Sequence, residues 1–143
     1  KVNSLFNFII VGFCILFLAA CQPATEQSET VKSESSIGML QHNVYFYLQD
    51  DVTAEERKQF EEGLKELLEI EEIHKAELGS PAATEQRDET DHAFAYTIFT
   101  WFKTMDDYKV YAEHPDHLKF IEKYNGLWAN VRVYDADLID HES

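Results

Sequence analysis

The chain of 143 residues carries 12 Lys and Arg against 27 Asp and Glu, a formal charge of −15 with His neutral. A surface this acidic repels phosphate backbones and anionic headgroups, and no basic cluster offsets it, which excludes nucleic acid and electrostatic docking on a bilayer. The chemistry is also uneven along the chain: the first twenty positions are almost wholly apolar, and every acid lies behind them.

Residues 6–20, FNFIIVGFCILFLAA, are apolar apart from Asn7 and Gly12. That is the length of a signal-peptide core and short for a membrane span. Lys1 supplies a minimal basic flank, and the lack of a starting Met leaves room for residues ahead of it. The run closes with Leu18-Ala19-Ala20-Cys21, which resembles the lipobox of bacterial lipoproteins. The resemblance implies cleavage before Cys21 and acylation of its thiol and amine with diacylglycerol and palmitate, so that the protein is held at the envelope by a lipid anchor alone. The other reading is an uncleaved anchor helix; both put the domain outside the cytoplasm. Gln22 stands where an Asp would resemble an inner-membrane retention signal, which points to the outer membrane in a diderm host. Cys14 leaves with the signal, so the mature chain has neither free thiol nor disulfide and must hold by packing. Its charge balance becomes 11 basic against 27 acidic residues.

Residues 21–38 are rich in Ser, Thr, Glu and Gln and read as a flexible tether. A domain follows over residues 39–138, with a tail at 139–143. Residues 39–48 alternate: Leu40, His42, Val44, Phe46 and Leu48 point one way, and Gln41, Asn43, Tyr45 and Tyr47 the other, as in a half-buried strand. Asp50-Asp51 ends it. Thr53 and Glu56 have capping-box spacing, and Phe60, Leu64, Leu67 and Leu68 share one face of the helix that follows, which lies on a sheet. A second strand is expected at 73–78 and a polar loop at 79–91. The run HAFAYTIFTWF at 92–102, which includes Ile98, suits a central strand covered on both sides. Thr104 reads as the N-cap of a short helix through Tyr108 and Tyr111, and Pro115 interrupts that helix and opens another through Leu118, Phe120 and Ile121. Val131, Val133 and Asp135 alternate against Arg132, Tyr134 and Ala136 in a last strand. The order strand, helix, strand, strand, one or two helices, strand is the α+β, ferredoxin-like arrangement with an antiparallel sheet.

Gln41-His42-Asn43-Val44-Tyr45-Phe46 in the first strand, Tyr111-Ala112-Glu113-His114-Pro115-Asp116-His117 before the last helix, Trp128, and the closing Val133-Tyr134-Asp135 resemble the Dabb family of stress-responsive α/β-barrel domains. The resemblance covers roughly residues 39–138. It implies a homodimeric α/β barrel in which two sheets pair, with a ligand-sized cavity between each sheet and its helices. The lipoprotein prefix and the loop at 79–91 depart from the family pattern, and the loop is placed to reshape a cavity mouth.

The resemblance also proposes a site. A plant member of the family closes polyketide rings by aldol condensation, and its catalytic Tyr and His match Tyr111 and His117 by motif position. His117 would then be the base and Tyr111 its partner or the group that polarises a carbonyl. His42, His114, Trp128 and Ile98 complete the expected ligand-binding set. Each has a plainer reading: His114 beside Pro115 suits a helix cap, Trp128 suits core, and His42 among apolar neighbours must find either a polar partner or a cavity. His114 and His117 are three apart, but no Cys and no His-Glu-x-x-His pattern supports zinc, nothing singles out a haem ligand, and neither metal nor cofactor is expected. Two functional classes stay open. One is a module that binds a small apolar or aromatic molecule; the other is a cofactor-independent enzyme of cyclase or oxygenase type.

Overall fold

The computed structural model describes residues 36–140, so the signal, Cys21 and nearly all of the tether lie outside the described residues. The elements follow in the order β1 (Leu40–Leu48), α1 (Ala54–Leu67), β2 (Lys75–Gly79), β3 (Tyr96–Phe102), α2 (Met105–Glu113), α3 (Pro115–Tyr124) and β4 (Trp128–Asp137). The sheet order is β2-β3-β1-β4, with every neighbouring pair antiparallel. This is the ferredoxin-like fold.

Register decides which side chains meet. His42 lies opposite Thr100 on β3 and Asp135 on β4, and Val44 opposite Ile98 and Val133. The inward set of β1 is therefore continuous with inward residues on both neighbours, and Leu40, His42, Val44 and Phe46 are all buried. The outward set is amide at one end and aromatic at the other, where Tyr45 packs edge-on against Phe99 and Tyr134.

Both expected caps form. Thr53 Oγ1 accepts from the Glu56 amide while the Glu56 carboxylate accepts from the Thr53 amide, and Thr104 with Asp107 does the same at the start of α2. Satisfying these otherwise orphaned groups fixes where α1 and α2 begin. Behind the caps, Phe60, Leu64 and Leu67 bury the face of α1 that packs on the sheet.

Three boundaries differ from the sequence-based expectation. β2 begins at Lys75, because Ile73 is still held in a turn by its amide bond to the Ile70 carbonyl. β3 begins at Tyr96, because the Asp91 carboxylate accepts from the Ala93 amide and turns the chain before it can pair. β4 begins three residues early, at Trp128, which pairs with Leu48 across a register irregularity at Tyr47 and Leu48.

The polar loop also sits elsewhere than expected. Asp91 accepts from the Tyr47 hydroxyl at 2.7 Å and meets Arg132 at 3.4 Å, while Phe94 packs on Tyr45 at 5.1 Å between ring centroids. Those partners all belong to the outward face. The loop therefore lies over the part of the outward face around Tyr45, Tyr47 and Arg132, leaving Tyr134 exposed, and does not shape the mouth of an inward cavity.

One glycine governs how closely α1 and α3 approach. A Cβ at Gly63 would fall on the Tyr124 ring, which is buried against Phe60 and Phe120 and donates its hydroxyl to the Gln59 carbonyl at 2.9 Å. Gly63→Ala gains roughly 0.5–1 kcal/mol of helix propensity and loses about 1–3 kcal/mol to overpacking. The urea midpoint should fall by the equivalent of about 1–2 kcal/mol; an unchanged or raised midpoint would show that the Tyr124 ring yields freely.

Candidate functional site

Between the inward face of the sheet and α2–α3 lies a cavity of about 230 Å³. Its walls are mostly apolar, with Val44, Phe46, Ile98, Phe120, Ile121, Val131 and Val133 contributing, and Leu67 reaching in from α1. At one end stand His42, Tyr108, Tyr111 and His117, and at the other Trp128 beside Phe46 and Phe120. A larger groove of about 620 Å³ runs between α1 and α3, but it is lined by interleaved Glu66, Asp116, Lys119, Glu122 and Lys123. Its charges of both signs are solvated, so it gathers no convergent chemistry, and the smaller cavity is the stronger candidate.

The ring cluster is held from three elements. His42 comes from the centre of β1, where its Nδ1–H donates to the Asp135 carboxylate on β4 at 2.6 Å. That bond leaves Nε2 as the unused nitrogen of the ring. Tyr108 and Tyr111 are one turn apart on α2 and approach His42 at 5.3 and 6.0 Å between centroids. His117 stands in the first turns of α3, its centroid 4.6 Å from that of Tyr111.

His117 is fixed as well as placed. The Ala112 carbonyl can only accept, so the 2.9 Å contact assigns the proton to His117 Nδ1 and leaves a lone pair on Nε2. Burial holds the pKa of His117 below the usual 6.5, aided by the nearby His42 and His114 rings and opposed by the bond to Ala112. It is therefore a neutral base at pH 7. Tyr111 has the opposite bias: burial, with Tyr108 beside it, drives its phenol far above the ordinary value of 10.0, so it stays protonated and can donate. A neutral imidazole acceptor and a neutral phenol donor in ring contact form a pair able to take a proton from one ligand atom while bonding another.

Of the residues singled out in the sequence, His42, Ile98, Tyr111, His117 and Trp128 all line this cavity. The structure places His114 outside the lining. Its Nδ1 accepts from the Asp116 amide at 3.2 Å, and the residue ends α2 and caps α3 with Pro115 in the next position. Two side chains of the ring cluster went unnoticed. Tyr108 carried the spacing signal of a residue three before Tyr111 on one helix. Asp135 alternates with inward Val131 and Val133, but its pairing with His42 depends on register. Among the described residues no group of three or more His, Cys, Asp or Glu side chains is arranged to hold a metal ion, and no helix is long and apolar enough to cross a membrane.

A ferredoxin-like sheet whose inward face and paired C-terminal helices enclose a ring-lined apolar cavity defines a class of small α/β-barrel domain. The profile of the Dabb family, the stress responsive A/B barrel domain, matches residues 40–138, and the chain belongs to this family. No curated protein matches it. Among solved structures it is similar to a dimeric protein of unknown function with a ferredoxin-like fold from Bacteroides fragilis, at 27% identity and a TM-score of 0.55, over 71% of this chain and 97% of that one. It is similar in fold to a Dabb protein from Mesorhizobium loti, at 22% identity and a TM-score of 0.59, over 72% and 99% of the two chains. The hydroxynitrile lyase of Passiflora edulis shares the fold at 17% identity and a TM-score of 0.61, over 73% and 96%.

The depressed pKa of His117 has a testable sign. Its proton is bound less tightly in the folded than in the unfolded protein, so its contribution to stability is present above pH 6.5 and is lost as pH falls through the lower folded value. An imidazole titration followed by NMR should place the His117 midpoint below 6.5, and His117→Phe should flatten the acid limb of the stability profile. A midpoint at or above that value would remove the neutral-base assignment.

Proposed function

We propose that this protein is a lipid-anchored, homodimeric binding module of the bacterial envelope that holds a small apolar or aromatic molecule in the cavity between its sheet and α2–α3. The observation that carries the reading is the cavity itself: an apolar space reached by His42, Tyr111 and His117, on a side of the sheet that a purely structural domain would fill with side chains. Anchoring is supported by the apolar run at 6–20 and the lipobox-like Leu18-Ala19-Ala20-Cys21, with Gln22 favouring the outer membrane of a diderm host. Dimerisation is supported by the aromatic outward face of Tyr45, Phe99 and Tyr134, and by the dimeric state of similar proteins from Bacteroides fragilis and Thermobifida fusca.

The geometry of the His117–Tyr111 pair favours a second reading, a cofactor-independent enzyme in which His117 Nε2 removes a proton from carbon or oxygen while the Tyr111 hydroxyl bonds the neighbouring oxygen. The fold shared with a hydroxynitrile lyase is compatible with such chemistry but does not assign it to this chain. Binding alone demands less of the site and stands first.

Two experiments test these readings. Native mass spectrometry of the protein purified from its host should show a bound neutral molecule of roughly 100–200 Da, the size that suits a cavity somewhat larger than one that takes benzene. His117→Phe and Tyr111→Phe should each keep that mass if the protein only binds, whereas turnover of the same compound should collapse in both if it is an enzyme; the absence of any bound mass would sink both. Replacing residues 1–21 by an ordinary cleavable export signal should move the protein from the membrane to the soluble fraction, where sedimentation should give about twice the 16.6 kDa chain mass less the exchanged segment. A variant that stays in the membrane, or sediments as a monomer, would remove the corresponding part of the proposal.

A further inference from the structure

Tyr108 takes no part in the His117–Tyr111 pair and does not hold His42, yet it lines the same cavity, its centroid 5.3 Å from that of His42 and 6.4 Å from that of Tyr111. Its edge-on contact with Phe102, at 5.5 Å, needs a ring but no hydroxyl. Among the described residues that hydroxyl has no hydrogen-bond partner, and the same holds for the Tyr111 hydroxyl and for the Nε2 atoms of His42 and His117. None of the four is among the polar atoms sealed from solvent. They open onto the space their residues line, which leaves the polar end of the cavity with four unmet atoms.

These atoms fall into two matched pairs. The Nδ1–H of His117 is committed to the Ala112 carbonyl and that of His42 to the Asp135 carboxylate, so each Nε2 presents a lone pair. Beside each lone pair stands a phenol: Tyr111 at 4.6 Å from His117 and Tyr108 at 5.3 Å from His42, between centroids. Burial raises both phenols above 10.0, with the Asp135 charge adding to it at Tyr108 and Tyr108 itself adding to it at Tyr111, so both stay protonated and donate. An acceptor next to a donor has a definite complement. A carbonyl or ether oxygen satisfies only the phenol, and an ammonium group only the imidazole, whereas a hydroxyl gives its hydrogen to Nε2 and takes one from the phenol.

Charge and size narrow the rest of the molecule. No Lys or Arg lines the cavity, and Asp135 stands behind His42, so a carboxylate drawn in would lose its water and meet no counterion. The volume of about 230 Å³ exceeds the roughly 150 Å³ that accepts a benzene molecule. One ring with two small substituents fits.

We infer that Tyr108 and His42 form a second hydroxyl-binding station beside that of Tyr111 and His117, and that the cavity takes an uncharged single-ring compound bearing two hydroxyls. The inference rests on the cavity being a ligand site and names the class of ligand. Tyr108 is its specificity-determining residue, because a Phe in its place would keep the packing and leave one ligand oxygen unmatched.

The test uses phenol, the three benzenediols and benzoate as probes, with the full acylated chain in lipid nanodiscs and empty nanodiscs as the blank. At least one diol should bind about tenfold more tightly than phenol, the ratio one further hydrogen bond supplies, and benzoate should not compete. In ¹⁵N spectra of the unaltered chain, both Nε2 signals should be those of unprotonated nitrogen, and that diol should move both. Tyr108→Phe should bring the affinity of the diol down to that of phenol, while the His117 Nε2 signal still responds to it. The inference is overturned if no diol exceeds phenol, if the diol moves the His117 signal alone, if His42 Nε2 carries a proton, if Tyr108→Phe keeps the preference, or if benzoate binds as well as the diol. Phenol binding in any of those cases leaves the cavity a ligand site; if neither phenol nor any diol binds, the proposed function falls as well. The spectral comparison does not depend on the variant folding.

Discussion

The break between α2 and α3 is the constraint from which the rest of the site follows. Tyr111 and His117 are six residues apart, and on an unbroken helix they would stand roughly 9 Å apart along the axis and about 240° around it. No ring contact is possible in that geometry. Pro115 has no amide hydrogen to continue the ladder, and it pushes His114 into the extended region, where φ is −61° and ψ is 136°. The chain turns there, and the two rings arrive 4.6 Å apart. His114 then makes the turn sustainable by ending one helix with its amide and capping the next with its imidazole. The motif Tyr111 to His117 thus works as a geometric device in which the middle His supports the two outer rings.

The same device settles protonation. Closing the turn sets the Ala112 carbonyl 2.9 Å from the Nδ1 of His117, which fixes the tautomer, and burying Tyr111 beneath α3 keeps its phenol neutral. The partner ring His42 is held differently, by a carboxylate on the neighbouring strand whose side chain is half exposed. Two imidazoles therefore face one space, each with one nitrogen committed to the protein and one left over. The inner wall of the sheet and the helix break contribute one each, so the spacing between them depends on how α2 and α3 seat on β1.

Much of this arrangement was legible in the sequence because it rests on short-range rules. Strict alternation in β1 gave its inward face, threonine and an acid three residues later gave both helix starts, and a lone proline gave the break. The family resemblance then gathered Tyr111 and His117 into one site. What escaped was long-range. The bond between Asp135 and His42 spans 93 residues and exists only because β1 and β4 pair in one register. The start of β3 was misjudged because Asp91 makes a side-chain bond that competes with strand pairing, and apolar content alone cannot report such competition. The side of the sheet on which the loop lies is likewise absent from its own sequence, which has no apolar periodicity to mark an inward or outward face. His114 had two readings, and only the direction of its ring nitrogen shows that it serves the backbone.

The clamp made by Tyr47, Asp91 and Arg132 has a consequence for how such a domain can change over generations. It pins a long polar stretch of the chain to the surface facing away from the pocket. Insertions or deletions there would alter what the outer layer touches and leave the inner chamber's dimensions alone, while substitutions at Ile98 or Ile121 would do the reverse. A sheet only one residue thick thus acts as a partition, so that changes to the outer layer and changes to the inner chamber need not disturb each other in a fold of barely a hundred residues.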